Sequence, residues 1–175
     1  MQKKRQPHRT TAESRELLKS IIRFMKLNQQ LSIQELVGLY TEVSPEEAVP
    51  VSIFSTSLSP SESLCKYLKE NRSLSFHEIA VILNRDDRSV WTSYARALRK
   101  SSNAIVPKEE DILVPLPVFQ DRSMSILEHV VNYLKTNYNL SNSKIARAIN
   151  KNPSSIATVA NRASAKGFGQ GGKAR

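Results

Sequence analysis

From Leu74 to Lys100 the chain reads LSFHEIAVILNRDDRSVWTSYARALRK, and from Leu140 to Lys166 it reads LSNSKIARAINKNPSSIATVANRASAK. Setting residues 67–100 over 133–166, an offset of 66, gives 14 identities in 34 positions, including Tyr67/Tyr133, Leu74/Leu140, Ala80/Ala146, Asn84/Asn150, Thr92/Thr158 and Arg96/Arg162. Upstream the offset becomes 65, where VPVSIF from Val49 matches VPLPVF from Val114. This is an internal duplication, and it decides the fold: one structural unit is written twice.

Each copy reads as an extended lead-in followed by three helices. Ser59, Pro60 and Glu62 suit the N-cap, N1 and N3 positions of the first helix, on whose apolar face Cys65 is expected as a core residue. Ser75 with Glu78 forms a second capping box, and Leu74 with Ile79 has hydrophobic-staple spacing. In the third helix Asp86 and Asp87 align with Asn152 and Pro153, so the acids read as a cap and a helix-dipole partner rather than as catalytic carboxylates.

The second and third helices meet the steric needs of a helix-turn-helix. Close crossing needs a small residue, the turn needs one that tolerates left-handed geometry, and the next helix needs a branched apolar anchor. Ala80, Asn84 and Val90 fill these roles in one copy and Ala146, Asn150 and Ile156 in the other. With Val90, Tyr94, Ala97 and Leu98 expected inward, the third helix of the first copy offers Arg88, Ser89, Thr92, Ser93 and Arg96, flanked by Arg85 and Lys100. The second copy offers Ser154, Ser155, Thr158, Asn161 and Arg162, flanked by Lys151 and Lys166. Arg can hold guanine by two hydrogen bonds, Asn can pair with adenine, and Ser or Thr can reach bases or phosphates. The competing interpretation is an ordinary solvated helix face.

LSFHEIAVILNRDDRSVW and its echo resemble the helix-turn-helix units of the homeodomain-like superfamily and of sigma-factor region four, and RDDRSV is similar to the DNA-binding end of the replication initiator DnaA. The resemblance covers about 30 residues per copy and implies a DNA-reading module. The phosphate-binding loop and ATPase body that accompany the DnaA module have no counterpart here, nor do the promoter-melting regions of a sigma factor.

The rest of the chain fits that expectation. Lys and Arg number 26 against 16 Asp and Glu, a net charge of +10, which points to a polyanionic partner. Both ends are basic. Residues 1–10 read as a flexible arm whose Lys3, Lys4, Arg5 and Arg9 are candidate DNA contacts, and 167–175 as a flexible Gly-rich basic tail. Residues 11–48 echo the repeat in part, since KLNQQLSIQELV from Lys26 aligns with KENRSLSFHEIA from Lys69. They read as a shorter helical hairpin, a surface for a protein partner or self-association, closed by a capped turn at Ser44, Pro45 and Glu47. Between module one (49–100) and module two (114–166), the linker 101–113 could extend to roughly 43 Å, enough to span the roughly 34 Å between successive major-groove faces.

No apolar run is long enough to span a bilayer, and the basic start leads into no apolar leader, so a soluble, cytoplasmic protein is expected, nucleoid-associated if prokaryotic. A single cysteine excludes a disulfide framework within the chain, and His8, His77 and His129 lack metal-ligand spacing, so no metal or cofactor is expected. Glycine is nearly missing from the body of the chain, and HExxH, CxxC and GxSxG do not occur, which argues against an enzyme. Trp91 aligns with Ala157; it either covers an edge of its own helix packing, the favoured reading, or meets a partner.

The sequence therefore predicts an all-α protein of two homologous three-helix helix-turn-helix modules in tandem after a shorter helical hairpin. It would bind double-stranded DNA sequence-specifically as a non-enzymatic transcriptional regulator. The alternative is a structural or adaptor protein binding another protein or a structured RNA.

Overall fold

The computed structural model describes residues 47–108 and 111–168, which belong to one compact unit. The basic arm, nearly all of the expected hairpin and most of the tail lie outside the described residues, and with them Lys3, Lys4, Arg5 and Arg9. What is described is mostly helical, with one small two-stranded sheet. In chain order come β1 (Ala48–Pro50), a 3-10 turn η1 (Val51–Ser55), α1 (Pro60–Glu70), α2 (Phe76–Leu83) and α3 (Asp87–Lys100). The second copy repeats the order as β2 (Leu113–Pro115), η2 (Leu116–Gln120), α4 (Ile126–Tyr138), α5 (Asn142–Ala148) and α6 (Pro153–Phe168). No described helix is long and apolar enough to cross a membrane.

The helix starts follow from local chemistry. Ser59, Ser75 and Ser125 each accept the N–H of a Glu three residues on, and that Glu accepts the serine N–H in return, closing three reciprocal capping boxes. Asp86 caps α3 through the Ser89 N–H (2.8 Å), and Asn152 holds the Ser154 N–H (2.9 Å) at the start of α6. Between the second and third helices the chain turns through Asn84 (φ 50°) and Asn150 (φ 50°), both left-handed. Around them the Arg85 N–H reaches the Ala80 carbonyl and the Lys151 N–H reaches the Ala146 carbonyl, each at 2.8 Å. Ala80, Ala146, Val90 and Ile156 are all buried, as the spacing predicts.

A second layer of order joins the copies. β1 and β2 pair antiparallel in the register Ala48↔Pro115, Val49↔Val114, Pro50↔Leu113, so the central pair is made of equivalent residues. The rings of Phe54 and Phe119, also equivalent, meet at 6.3 Å, and both are fully buried. Each 3-10 turn packs on the first helix of its own copy and on the second helix of the other: η1 against α1 and α5, η2 against α4 and α2. The first helices, α1 and α4, touch as well. Antiparallel pairing through equivalent residues requires a local twofold rotation, and the exchanged packing extends that relation to the whole pair. The core is accordingly continuous, running from Leu64, Leu68 and Ile79 through Val49, Phe54, Val114 and Phe119 to Val130, Leu134 and Ile145.

The segment read as a spacer is also structured. Asn71 Nδ2 donates to the Ile105 carbonyl (3.0 Å), the Lys108 N–H to Ser52 Oγ (3.1 Å), and the Ser52 N–H to an Asp111 carboxylate oxygen (2.6 Å). Ile105 is buried. The described part of this segment lies along the first copy, and Leu113, its last residue, belongs to β2. Its full extension therefore does not set the distance between the copies. The sheet does.

Candidate nucleic-acid interface

The outward faces of α3 and α6 are placed by their buried anchors. Val90 and Ala97 are buried in α3, and Ile156, Ala160 and Ala163 in α6, which turns Arg88, Thr92 and Arg96 of the first copy and Ser154, Thr158 and Arg162 of the second away from the core. At 3.6 residues per turn Arg88 and Thr92 share a ridge with Ala95 and Arg99; Ser154 and Thr158 share the equivalent ridge with Asn161 and Ala165. Arg88, Arg96, Arg162, Asn161 and Ser155 are exposed and engage no partner among the described residues.

Several hydroxyls are already committed. Ser89 Oγ donates to Asp86 (2.7 Å), Ser154 Oγ to Asn152 (2.7 Å), Ser93 Oγ to the Ser89 carbonyl (2.9 Å) and Thr158 Oγ1 to the Ser154 carbonyl (3.1 Å). A hydroxyl carries one proton, so in this arrangement these groups offer an incoming ligand acceptor lone pairs only. The Ser89 hydroxyl and N–H hold the Asp86 carboxyl below the ordinary aspartate range.

Four cations of the predicted surface are engaged within the protein. Arg85, half-buried, donates to the Asp121 carbonyl of the other copy (3.4 Å), and Lys151 donates to the Thr56 carbonyl (3.4 Å). The two acceptors are equivalent at the offset of 65, so the contacts are reciprocal across the twofold. Asn84 adds a bond from Nδ2 to the Gln120 carbonyl (3.1 Å). Lys100 pairs with Glu62 and Lys166 with Glu128, at 2.8 and 2.7 Å, tying the end of each third helix to the capping box of each first helix. Burial alone would raise both glutamates, but the lysine ammonium and the capping serine hold them below the ordinary glutamate range. The glutamates offset the charge of Lys100 and Lys166, whereas Arg85 and Lys151, bonded to neutral carbonyls, keep their charge and lose only free N–H donors.

Other cations lie where only the fold could point. Arg122, exposed on the loop before α4, is close enough to act electrostatically on Arg85 and Asp86, so the second copy contributes charge beside the start of α3. Arg99 stands on the outer ridge of α3, and Lys144 and Arg147 are exposed on α5, where the first copy has Glu78 and Val81. Their charge is visible in the sequence; their positions are not.

Two apolar residues depart from expectation. Leu98, expected inward, is 40% exposed, and Trp91, expected to cover packing in its own copy, is 56% exposed. They line one shallow groove with Thr92, Ala95 and Arg99 on the flank of α3. The cause is angular: residues 91 and 98 are seven apart on one helical stripe, rotated away from the Val90 and Ala97 stripe that the core takes up. A separate cavity of about 230 Å³ lies under the start of α3, lined by Ser61, Cys65, Arg85, Ser89, Ser93 and Ile126 among others. Burial pushes the Cys65 thiol up to about 12, which makes it an inert core group. His129 is buried and bonded to the Asp121 carbonyl (2.9 Å), and His77 faces Asp87 (3.2 Å) on the surface. Among the described residues no cluster of three or more His, Cys, Asp or Glu could hold a metal ion. Comparison with protein-family models, with curated proteins and with solved structures finds no match to this chain.

Proposed function

We propose that this protein binds double-stranded DNA sequence-specifically through two diverged helix-turn-helix modules, 49–100 and 114–166, and acts as a non-enzymatic transcriptional regulator. The observation that carries the proposal is the paired construction. A left-handed Asn turn feeds a capped helix whose outer face bears unengaged Arg and polar side chains, and it occurs twice at one spacing. Arg88 and Arg96 in α3 and Asn161 and Arg162 in α6 supply base-edge contacts; Arg99, Arg122, Lys144 and Arg147 neutralise phosphate. The net charge of +10 supplies the long-range attraction.

Mobility shifts on duplex DNA, duplex RNA and single strands, each at two salt concentrations, test the reading. Duplex DNA should bind most tightly, with affinity falling steeply as salt rises. Equal or tighter binding to RNA, or no nucleic-acid binding, would overturn it. A second reading, an adaptor that docks a protein, is favoured by one observation only: the exposed Trp91 and Leu98 on the flank of α3.

A further inference from the structure

We infer that the DNA site of this chain is an inverted repeat with unequal halves, held at one fixed spacing by the joint between the copies. The inference rests on the DNA-binding reading above and deepens it. Two modules on a free linker could settle on direct or inverted half-sites at many separations, because the linker would impose neither orientation nor distance. Here the joint imposes both. The Val49↔Val114 pair at the centre of an antiparallel ladder, the meeting of Phe54 with Phe119, and the reciprocal bonds of Arg85 and Lys151 all relate the copies by rotation through about half a turn. Equivalent helices α3 and α6 therefore present their N-terminal turns at one height along the rotation axis, with the parts of their directions perpendicular to that axis reversed. A duplex has a twofold of its own perpendicular to its axis, and two modules related by a twofold match it only when the half-sites run in opposite directions.

The faces then dictate how alike the halves are. Ser89/Ser155, Thr92/Thr158 and Arg96/Arg162 are identical pairs, whereas Arg88/Ser154, Ala95/Asn161 and Arg99/Ala165 are not. Bases met by the first set should recur in both halves. Those met by the second set should differ, with guanine opposite Arg88 and adenine opposite Asn161.

The test is binding-site selection from random duplexes with the full chain, followed by affinity measurement on three probes. One carries the selected site, one has the second half reversed to make a direct repeat, and one has five base pairs inserted between the halves, about half a helical turn. The selected site should be an imperfect inverted repeat, bound at least tenfold more tightly than either altered probe. Equal affinity for the direct repeat, or tolerance of the insertion, would overturn the fixed inverted arrangement while leaving DNA binding intact. Failure to bind any duplex would overturn the DNA reading and this inference with it.

Discussion

The two copies make equivalent contacts where they face each other and diverge over part of the surface that faces away. Across the joint, Val49 meets Val114, Phe54 meets Phe119, and Arg85 and Lys151 make the same kind of bond to equivalent carbonyls. Within each copy the Lys100–Glu62 and Lys166–Glu128 pairs are equivalent, as are the left-handed Asn84 and Asn150. On the outward-turned side Arg88 aligns in sequence with Ser154, Trp91 with Ala157, Leu98 with Ser164 and Val81 with Arg147. Packing across a twofold constrains both partners at once, because a change on one side must fit its equivalent on the other. A solvent-facing side chain carries no such constraint. The outer faces are thus free to acquire separate binding preferences on a common frame.

The largest expected effect breaks the inner agreement. Phe54→Ala and Phe119→Ala should each lower unfolding stability by about 3–5 kcal/mol in urea titrations, since each opens a cavity at a fully buried ring. The two losses should be similar. A near-neutral result at either position would show that the ring contact does not hold the copies together.

Next comes the outer difference. Arg88→Ala should weaken DNA binding by about 1–3 kcal/mol and relax preference at one base pair, in one half of the site. Ser154→Ala should cost less, because its hydroxyl proton already serves Asn152. Equal losses from both substitutions, measured on the selected site, would show that the two faces do not divide the reading.

A smaller effect sharpens the equivalence of the two ion pairs. Lys100→Ala and Lys166→Ala should each cost about 1 kcal/mol, as each lysine is only about half exposed and its glutamate partner is buried. Glu62 and Glu128 have folded-state values below the ordinary 4.5, so their contribution is complete above about pH 4.5 and is lost as pH falls through the lower folded value. Acid titration of stability should show this loss in the parent, and each Lys→Ala variant should lose less in that window. Unchanged acid dependence in both variants would remove the ion pairs as its cause.

The smallest effect concerns Trp91. Trp91→Ser should change stability by less than about 0.5 kcal/mol, and its fluorescence in the parent should be readily quenched by a water-soluble quencher. A large loss of stability would mean that the side chain is packed.

What the sequence determined by itself is local. Capping needs one side chain and a backbone N–H two or three residues away, and the turn needs one residue that accepts positive φ, so Ser59, Ser75, Asp86, Asn84 and Asn150 could be read by spacing alone. Duplication strengthened each reading, because the same role recurred at a fixed offset. Tertiary structure decided the joint. Val49 and Val114 are 65 residues apart, and a three-residue strand carries too little pattern to name its partner, so two extended lead-ins could not be recognised as one sheet. For the same reason the bonds of Arg85 and Lys151, which read only as cations flanking the outer faces, to backbone carbonyls of the other copy were not legible, nor was the position of Arg122 beside α3. Charge is written in the sequence, but what a charge faces depends on contacts between distant parts of the chain, and those exist only once the core has closed.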